Sequence, residues 1–348
     1  MTKDTERRKR DHLILAQDRS LNFTISAGFD RWRFIHNALP ELDLDDIDTS
    51  TQFLGRRLSF PLLISSMSGG TSESLGLNST LAIAAEAVGC ALGLGSIRAA
   101  IEDPTLRDSF LIARDQAPSA VILANIGISQ IQNPNMLTSV AAFCDDLKAN
   151  ALIIHLNSLQ EAFQPEGQTN LKDSLSAIWT WVQEFPLPII VKEVGQGLSI
   201  EAVSRLEAVG VKTIDLAGAG GSNWINIERQ RLGDDNSVLK SAAQYFENWG
   251  EPTAEVLAEL DSKALIIASG GVSDPMDMAK ALALGAGMTG VAGPFLKAGL
   301  SGNPELLINK LMVWQKALEL IMFGCGVQNI SSLVGNKALL KMAQQRKI

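Results

Sequence analysis

The 348-residue sequence is poor in the residues that build metal and disulfide sites. It has only three histidines, far apart, and three cysteines, Cys90, Cys144 and Cys325, without CxxC spacing. Scattered histidines argue against a zinc or iron centre. We expect buried, reduced cysteines, with a catalytic thiol as the less favoured alternative.

Long apolar runs are also missing, although 46% of the residues are hydrophobic. Glycine or charge interrupts each run, so no membrane span is predicted. The first residues, MTKDTERRKRDHL, lack the apolar core of a signal peptide, and we therefore expect a cytoplasmic protein. A formal net charge of −8 argues against a nucleic-acid partner and leaves a small-molecule partner, which can be anionic if basic residues gather locally.

What the sequence does contain is a regular alternation of short apolar runs with amphipathic stretches from residue 61 onward. Both faces of each run are apolar, as in parallel strands covered by helices. Eight such runs favour a closed (β/α)8 TIM barrel of the α/β class over an open doubly wound sheet. The runs are Pro61–Ser66, Ala91–Ser96, Val121–Ile126, Ala151–Asn157, Pro188–Val194, Val211–Gly218, Ala264–Gly270 and Gly287–Gly293.

The barrel is predicted to occupy residues 61–300. Residues 1–60 form an N-terminal extension in which Phe53–Phe60 is a strand or hairpin that closes the barrel floor. Residues 301–348 form a C-terminal helical extension of the same domain. Asp-Pro pairs at 103–104 and 274–275 predict helix starts, since Asp caps free amides and Pro has none to lose.

In such barrels the chemistry lies at the carboxyl ends of the strands. The segments IASGG at 267–271 and GVAGP at 290–294 follow strands seven and eight. Small residues there let backbone amides approach a phosphate, with Gly270, Gly271, Ala292 and Gly293 as the candidates. The alternative interpretation is a pair of tight turns.

Lys192 ends the fifth strand, where a cation would stabilise the negative charge of a reduced flavin. Ser66, Ser96 and Asn125 offer neutral hydrogen bonds to the edge of such a ring. FMN is therefore the predicted cofactor. The alternative role of Lys192 is an internal ion pair with Glu193 or Asp215.

The segment after the fourth strand gathers His155, Asn157, Gln160 and Glu161. Spacing of i, i+2 places the first two on one face at the barrel mouth. Glu161 is the carboxylate of the group and the candidate ligand for Mg2+ shared with substrate phosphates. A structural role for the histidine is the alternative.

The basic run Arg7–Arg10, followed by His12, has two interpretations that the sequence leaves open. It is either a solvated tail or, together with Arg98, a neutralising group for a diphosphate above the barrel mouth.

The sequence resembles the type 2 isopentenyl diphosphate isomerases, FMN-dependent enzymes with this barrel fold. The matching segments span nearly the whole chain in order, whereas DIDTSTQFLGRRLSFP at 46–61 resembles the wider group of FMN barrels that includes 2-hydroxy-acid oxidases. The segments are RKRDHL at 8–13, SSMSGGT at 65–71, GSIR at 95–98, ANIG at 124–127, HLNSLQEAFQPEG at 155–167, VKEVGQGLS at 191–199, DLAGAGGSNWINIE at 215–228 and ASGGVSDPMDMAKALALGA at 268–286.

The resemblance implies interconversion of isopentenyl and dimethylallyl diphosphate in isoprenoid biosynthesis, with Mg2+, NADPH as reductant, and a tetramer or octamer as the assembly. Reduced FMN would serve as acid or base and stabilise the cation. Gln160 does not ionise, so it would orient the alkene or relay a proton. Carried over by position, the residues that would bind the substrate are Arg8, Lys9, Ser96, Arg98, His155, Asn157 and Gln160, and the last three are the catalytic candidates. The residue that would bind Mg2+ is Glu161. The residues that would bind FMN are Ser66, Met67, Ser68, Ser96, Asn125, Lys192, Ser222, Gly270, Gly271, Ala292 and Gly293.

The chain departs from the family pattern at four places that affect phosphate binding. Ala217 replaces a usual serine, Ser222 a threonine and Gln168 an aspartate, while 272–274 replaces a stretch that normally carries an arginine. Two other functions stay open. An FMN-dependent 2-hydroxy-acid oxidase needs a His base and an arginine pair, and neither follows strands seven and eight. A non-catalytic flavin- or phosphate-binding barrel does not need the crowded polar groups after strands four and five.

Overall fold

A computed structural model describes residues 3–343, apart from the side chains at 3–6 and 234. The strands of these residues are β1 (Trp32–Phe34), β2 (Thr51–Phe53), β3 (Arg56–Leu58), β4 (Leu62–Ile64), β5 (Ala91–Gly93), β6 (Ile122–Gly127), β7 (Ala151–His155), β8 (Ile189–Lys192), β9 (Thr213–Asp215), β10 (Leu265–Ala268), β11 (Met288–Val291) and β12 (Leu340–Met342). The helices are α1 (Lys3–Leu15), α2 (Ser72–Val88), α3 (Arg98–Glu102), α4 (Asp108–Gln116), α5 (Ile128–Ile131), α6 (Met136–Asp146), α7 (Ser158–Ala162), α8 (Ser174–Glu184), α9 (Ile200–Ala208), α10 (Trp224–Arg231), α11 (Ser237–Ala242), α12 (Thr253–Glu259), α13 (Pro275–Leu284), α14 (Gly293–Leu300), α15 (Pro304–Cys325) and α16 (Ile330–Leu333).

Strands β4 to β11 form a closed parallel barrel, which confirms the predicted fold class. They follow one another in chain order, and β11 pairs with β4 to close the ring, with Thr289 opposite Leu62 and Val291 opposite Ile64. Each strand overlaps its predicted run. All eight strands are parallel, so their carboxyl ends meet at one rim, where the chemistry of such barrels is placed.

The barrel floor is closed by the hairpin β2–β3, as the sequence predicted for residues 53–60. Its two turn residues, Leu54 and Gly55, have φ values of 50° and 72°, the left-handed conformation that two-residue hairpin turns require. Phe53 and Leu58 point into the barrel and join an apolar cluster with residues from the barrel strands, including Leu63 and Ile153. The hairpin therefore fills the amino-terminal end and leaves the opposite rim open.

The predicted caps are present, but one of the helices differs. Asp274 accepts a hydrogen bond from the backbone N–H of Asp277, and α13 begins at Pro275 as expected. Asp103 caps the N–H of Thr105, yet Pro104 starts only a 3-10 turn, and α4 begins at Asp108.

The C-terminal helix α15 lies within the predicted helical extension, and it carries apolar residues on two faces. Leu306, Val313 and Leu320 are exposed. The buried face carries Leu307, Leu311, Trp314 and Leu318, which belong to the main core with the barrel helices. A helix with apolar residues on two faces gives no sequence signal for the face that is buried. The boundaries 1–60, 61–300 and 301–348 stay a prediction.

Cys90, Cys144 and Cys325 are free and buried, as expected. Burial raises the pKa of the Cys90 and Cys144 thiols to about 12, which makes them poor nucleophiles. Within residues 3–343, no helix is long and apolar enough to cross a membrane.

We predict that Phe53→Ala destabilises the fold by about 3–5 kcal/mol, because it removes a ring that is 1% exposed and leaves a cavity in the barrel floor. Urea unfolding followed by tryptophan fluorescence measures the change. Tyr245→Ala, at a position that is 88% exposed, is the control and should stay within about 0.5 kcal/mol of wild type. Equal effects of the two substitutions would contradict the floor-plug role of Phe53.

Candidate active site

The open rim of the barrel holds a cavity of about 690 Å3. All the residues selected from the sequence lie on its wall, although they come from segments up to 285 positions apart (8 to 293). They are Arg8, Lys9, Ser66, Met67, Ser68, Ser96, Arg98, Asn125, His155, Asn157, Gln160, Glu161, Lys192, Ser222, Gly270, Gly271, Ala292 and Gly293.

Glycines after β10 and β11 shape one end of this cavity. Gly270 has φ 89° and Gly271 has φ 72°, and a Cβ on Gly270 would lie 2.0 Å from the carbonyl oxygen of Gly218. Gly293 is different, since a Cβ there would meet nothing within 4 Å, and it begins α14. Two close-packed glycines and an open helix start match the arrangement that receives a phosphate through backbone amides.

The cavity also has the polar atoms that a flavin requires. The hydroxyl oxygens of Ser65 and Ser66 are buried and have no hydrogen-bond partner among the described residues. Buried polar atoms rarely stay unpaired, so these two hydroxyls indicate a ligand. Ser68 is already engaged, because its hydroxyl lies 2.9 Å from that of Ser74. The residues present therefore fit FMN.

Lys192 lines the cavity, and no carboxylate of the described residues forms a salt bridge with its ammonium. Its charge nevertheless acts on the carboxyl groups of Glu193 and Asp215, so its alternative role as an internal ion pair stays a prediction. Its ammonium donates to the carbonyl oxygen of Glu193. The Glu193 carboxylate is occupied by its own loop, where Oε2 accepts backbone N–H groups of residues 194–197 at 2.6–2.9 Å. Asp215 Oδ1 accepts from Ser269 Oγ at 2.5 Å. Burial raises the pKa of Asp215, and the charge of Lys192 opposes that rise.

His155 is held as a neutral hydrogen-bonding group. Its Nδ1 lies 2.7 Å from Asn125 Oδ1, and donation in that direction leaves Nε2 as an acceptor. Burial, followed by the charge of Lys192, lowers the pKa of His155 to about 3. The imidazole is therefore uncharged near neutral pH and can orient a ligand without adding a charge.

Glu161 is positioned from both sides by hydrogen bonds. Asn157 Nδ2 donates to Oε1 at 2.8 Å, and the backbone N–H of Gln168 donates to Oε2 at 2.6 Å. Since Gln168 contributes its main chain, its side chain is not what holds Glu161. The described residues contain no group of three or more His, Cys, Asp or Glu that could hold a metal alone. A Mg2+ ion here would need oxygens from substrate or water, as is usual for Mg2+.

Sequence reasoning missed Glu228, the buried carboxylate that connects the site. Its side chain is 0% exposed. Oε1 accepts from Gln160 Nε2 at 3.0 Å and Gln164 Nε2 at 2.7 Å, and lies 2.8 Å from His12 Nε2. Arg231 Nη1 donates to Oε2 at 2.5 Å. A Glu directly after the buried isoleucines of WINIE was the only signal, since a carboxylate is unusual on an apolar helix segment.

The electrostatics of Glu228 favour its ionised form. Burial alone would raise the pKa of this carboxyl, but the hydrogen bond and charge of His12, the charge of Arg231 and the hydrogen bond of Gln160 together lower it to about 2. The carboxylate is thus charged at neutral pH and holds α1 and α7 in place.

The basic run divides between cavity and solvent, and the diphosphate-binding interpretation of its cavity part stays a prediction. Arg8 and Lys9 line the cavity, whereas Arg7 and Arg10 are exposed. Arg8 Nη1 donates to Gln164 Oε1 at 3.3 Å, and the Lys9 ammonium donates to the Gly69 carbonyl. Burial, followed by the charge of Arg8, lowers the pKa of Lys9 to about 8. Cations gathered on one cavity wall indicate a site for an anion.

Comparison with known proteins identifies similar families. A family model described as FMN-dependent dehydrogenase matches residues 157–341. An isopentenyl-diphosphate delta-isomerase of Chlorobium phaeovibrioides is 39% identical over 98% of this chain and 99% of its own. One of Rickettsia bellii is 40% identical over 97% of both chains, and one of Methanosarcina mazei is 39% identical over 96% of this chain and 91% of its own.

Solved structures with a similar fold are flavoenzymes. The flavin-binding domain of baker's yeast flavocytochrome b2 has a TM-score of 0.65 and 20% identity, covering 97% of this chain and 81% of that one. A soluble variant of (S)-mandelate dehydrogenase of Pseudomonas putida has a TM-score of 0.66 and 18% identity, covering 96% and 99%. At these identities the likeness shows the fold alone.

The buried carboxylate generates a pH prediction. Because the pKa of Glu228 lies near 2, below the 4.5 of a free Glu, its charge stabilises the fold above about pH 4.5, and this stabilisation is lost toward pH 2. Between pH 7 and about pH 3.5, wild type should lose about 1 kcal/mol more stability than Glu228→Gln. Urea unfolding at each pH measures the two losses.

Glu255→Gln is the control for this measurement, since Glu255 is a partly exposed carboxylate that pairs with Arg31 on the surface. Its stability should follow wild type through the pH range. A Glu228→Gln protein that loses as much stability as wild type would contradict the depressed pKa.

Proposed function

This chain belongs to the isopentenyl-diphosphate delta-isomerase family, and we propose that it interconverts isopentenyl and dimethylallyl diphosphate with FMN as cofactor. The observation that carries the proposal is the cavity itself. It combines a phosphate-receiving glycine end, unpaired serine hydroxyls, a lysine without a salt bridge among the described residues and a cationic wall from α1. The glycines, the serine hydroxyls and the lysine suit a flavin, and the cationic wall suits a diphosphate substrate.

FMN would be held by the small residues Gly270, Gly271, Ala292 and Gly293 and by polar groups on or just after β4, β6 and β8, namely Ser66, Asn125 and Lys192. When bound in its reduced form, it supplies an electron-rich ring that can act as acid or base and stabilise a cation. Lys192 forms no salt bridge with a carboxylate of the described residues, so its charge is available to the ring.

The diphosphate would be bound by the cations on the other side of the cavity. Arg8, Lys9 and Arg98 come from α1 and α3, and Arg98 keeps one hydrogen bond with Glu102 at 2.6 Å. Neutral His155, whose Nδ1 donates to Asn125, can accept a hydrogen bond at Nε2 without disturbing this charge balance. We propose that Glu161 binds Mg2+ together with the diphosphate oxygens, because its two oxygens are already oriented by Asn157 and Gln168.

Gln160 is the residue best placed to act on the reacting carbon atoms. Its Nε2 donates to ionised Glu228, which fixes the amide and leaves Oε1 free of partners among the described residues. An ionised Glu228 can accept a proton but has none to give, so we assign it a positioning role. Gln160 then orients the alkene or relays a proton, while His155 and Asn157 support the substrate.

The alternative of a 2-hydroxy-acid oxidase receives less support. That chemistry needs a histidine base and an arginine pair, and the cavity residues at 269–273 and 290–294 include neither. A non-catalytic flavin barrel would leave unexplained the buried network around Glu228 and the Asn157–Glu161 pair.

Two further parts of the proposal rest on the family resemblance. NADPH would reduce the flavin, and the protein would be a homo-oligomer such as a tetramer or octamer. A comparison of NADPH with NADH as reductants addresses the first part, and size measurement by light scattering addresses the second. The proposed cytoplasmic location does not rest on that resemblance.

We predict that the purified protein with FMN, NADPH and Mg2+ converts isopentenyl diphosphate in deuterated water into deuterium-labelled dimethylallyl diphosphate, detected by NMR. Glu161→Ala should lower this turnover by about a hundredfold or more, because Mg2+ loses its oriented carboxylate. Glu184→Ala, at the exposed end of α8, is the matched control and should keep wild-type turnover.

Omitting the reductant should stop the reaction in every variant. If the protein binds FMN but leaves isopentenyl diphosphate unchanged, the isomerase proposal is wrong, and a screen of 2-hydroxy acids then tests the oxidase.

A further inference from the structure

A second group of cations lines the cavity, and two of its members are linked to α14, the helix that Gly293 begins. It consists of Arg19, Lys297 and Lys310, and we refer to it as the phosphate-end cluster. Arg19 comes from the N-terminal extension, Lys297 from α14 and Lys310 from α15. Three unrelated segments therefore bring positive charge to one place.

No carboxylate among the described residues forms an ion pair with any of these three side chains. Lys310 is fixed by a hydrogen bond from its ammonium to the carbonyl oxygen of Pro294 at 2.6 Å, with the same ammonium 5.9 Å from the centre of the Phe295 ring. Burial, followed by the charge of Arg19, lowers the pKa of Lys310. Arg19 and Lys310 are thus close enough to repel each other.

The loop that faces this cluster offers no positive charge of its own. Residues 269–274 read SGGVSD and contain no Lys or Arg. Backbone amides at Gly270, Gly271 and Gly293 supply only partial charges. A phosphate dianion at this end would therefore be poorly neutralised without cations from another part of the chain.

We propose that Arg19, Lys297 and Lys310 bind the phosphate of FMN and supply the charge that the β10–α13 loop lacks. Lys310 is the central member because its ammonium is already positioned at the start of α14, next to Gly293. Lys297 and Arg19 are more exposed and complete the neutralisation from the solvent side. This inference rests on FMN being the cofactor.

The test compares two flavins that differ only in the phosphate. Dissociation constants for FMN and for riboflavin are measured by flavin fluorescence on the full chain freed of flavin. Lys310→Met keeps the aliphatic stem over Phe295 and removes the charge. We expect it to weaken FMN binding about tenfold, the effect of one lost charge-assisted hydrogen bond, and to leave riboflavin binding unchanged.

Lys316→Met is the matched control, since Lys316 lies on the same helix, pairs with Glu319 and does not line the cavity. It should keep the wild-type preference for FMN over riboflavin. The triple variant with Arg19→Met and Lys297→Met added should lose most of that preference, and thermal unfolding of each variant checks that the fold is intact.

The outcomes separate this inference from the proposed function. A wild-type protein that binds neither flavin would overturn the proposed function, and the inference with it. Tight and selective FMN binding that survives in the triple variant overturns the inference alone. Equal weakening of FMN and riboflavin binding would show that the cluster has a structural role. A raised KM for NADPH with unchanged selectivity for FMN would show that the cluster binds the phosphate of NADPH instead. Both results would overturn the inference.

Discussion

One buried charge holds the candidate site together. Glu228 lies on a helix outside the barrel strands, yet its carboxylate reaches α1 through His12, α7 through Gln160 and its own helix through Arg231. A buried carboxylate is stable only when it is fully paired, and here four side chains meet that requirement. The same bonds fix α1 above the barrel mouth and bring Arg8 and Lys9 onto the cavity wall. The substrate-binding wall therefore depends on a group that need not touch the substrate.

The barrel supplies a second constraint, because its eight parallel strands end at a common rim. Groups that are far apart in sequence, such as Lys192 and Gly293, meet there without any local signal. The hairpin β2–β3 closes the other end with Phe53 and Leu58, so the cavity is open on one side only. Charge is distributed unevenly around this opening. Two groups of cations line the cavity, Arg8 with Lys9 and Arg19 with Lys297 and Lys310, and the wall also carries uncharged groups such as His155 and Asn125.

The sequence was sufficient to predict the strands and the residues at their carboxyl ends, because two-sided apolar runs and the polar residues after them are local patterns. It also predicted the helix start at Asp274 and the floor hairpin. It did not reveal Glu228, because one polar residue on a buried helix face does not name its partners. Nor could it show that the Glu193 carboxylate accepts hydrogen bonds from the backbone of its own loop and forms no salt bridge with Lys192. The sequence pattern also could not predict which face of α15 is exposed or that Arg19 lies near Lys310, because both depend on tertiary packing.

The most direct test of this account is a crystal structure of the protein with FMN, Mg2+ and isopentenyl diphosphate. The account predicts the flavin phosphate at Gly270–Gly271 and Ala292–Gly293 with Lys310 beside it, and the flavin ring next to Lys192 and Asn125. It predicts the substrate diphosphate under α1, in contact with Arg8 and Lys9, and the metal on Glu161. A flavin bound in the reverse direction, or a diphosphate bound outside the barrel mouth, would contradict it.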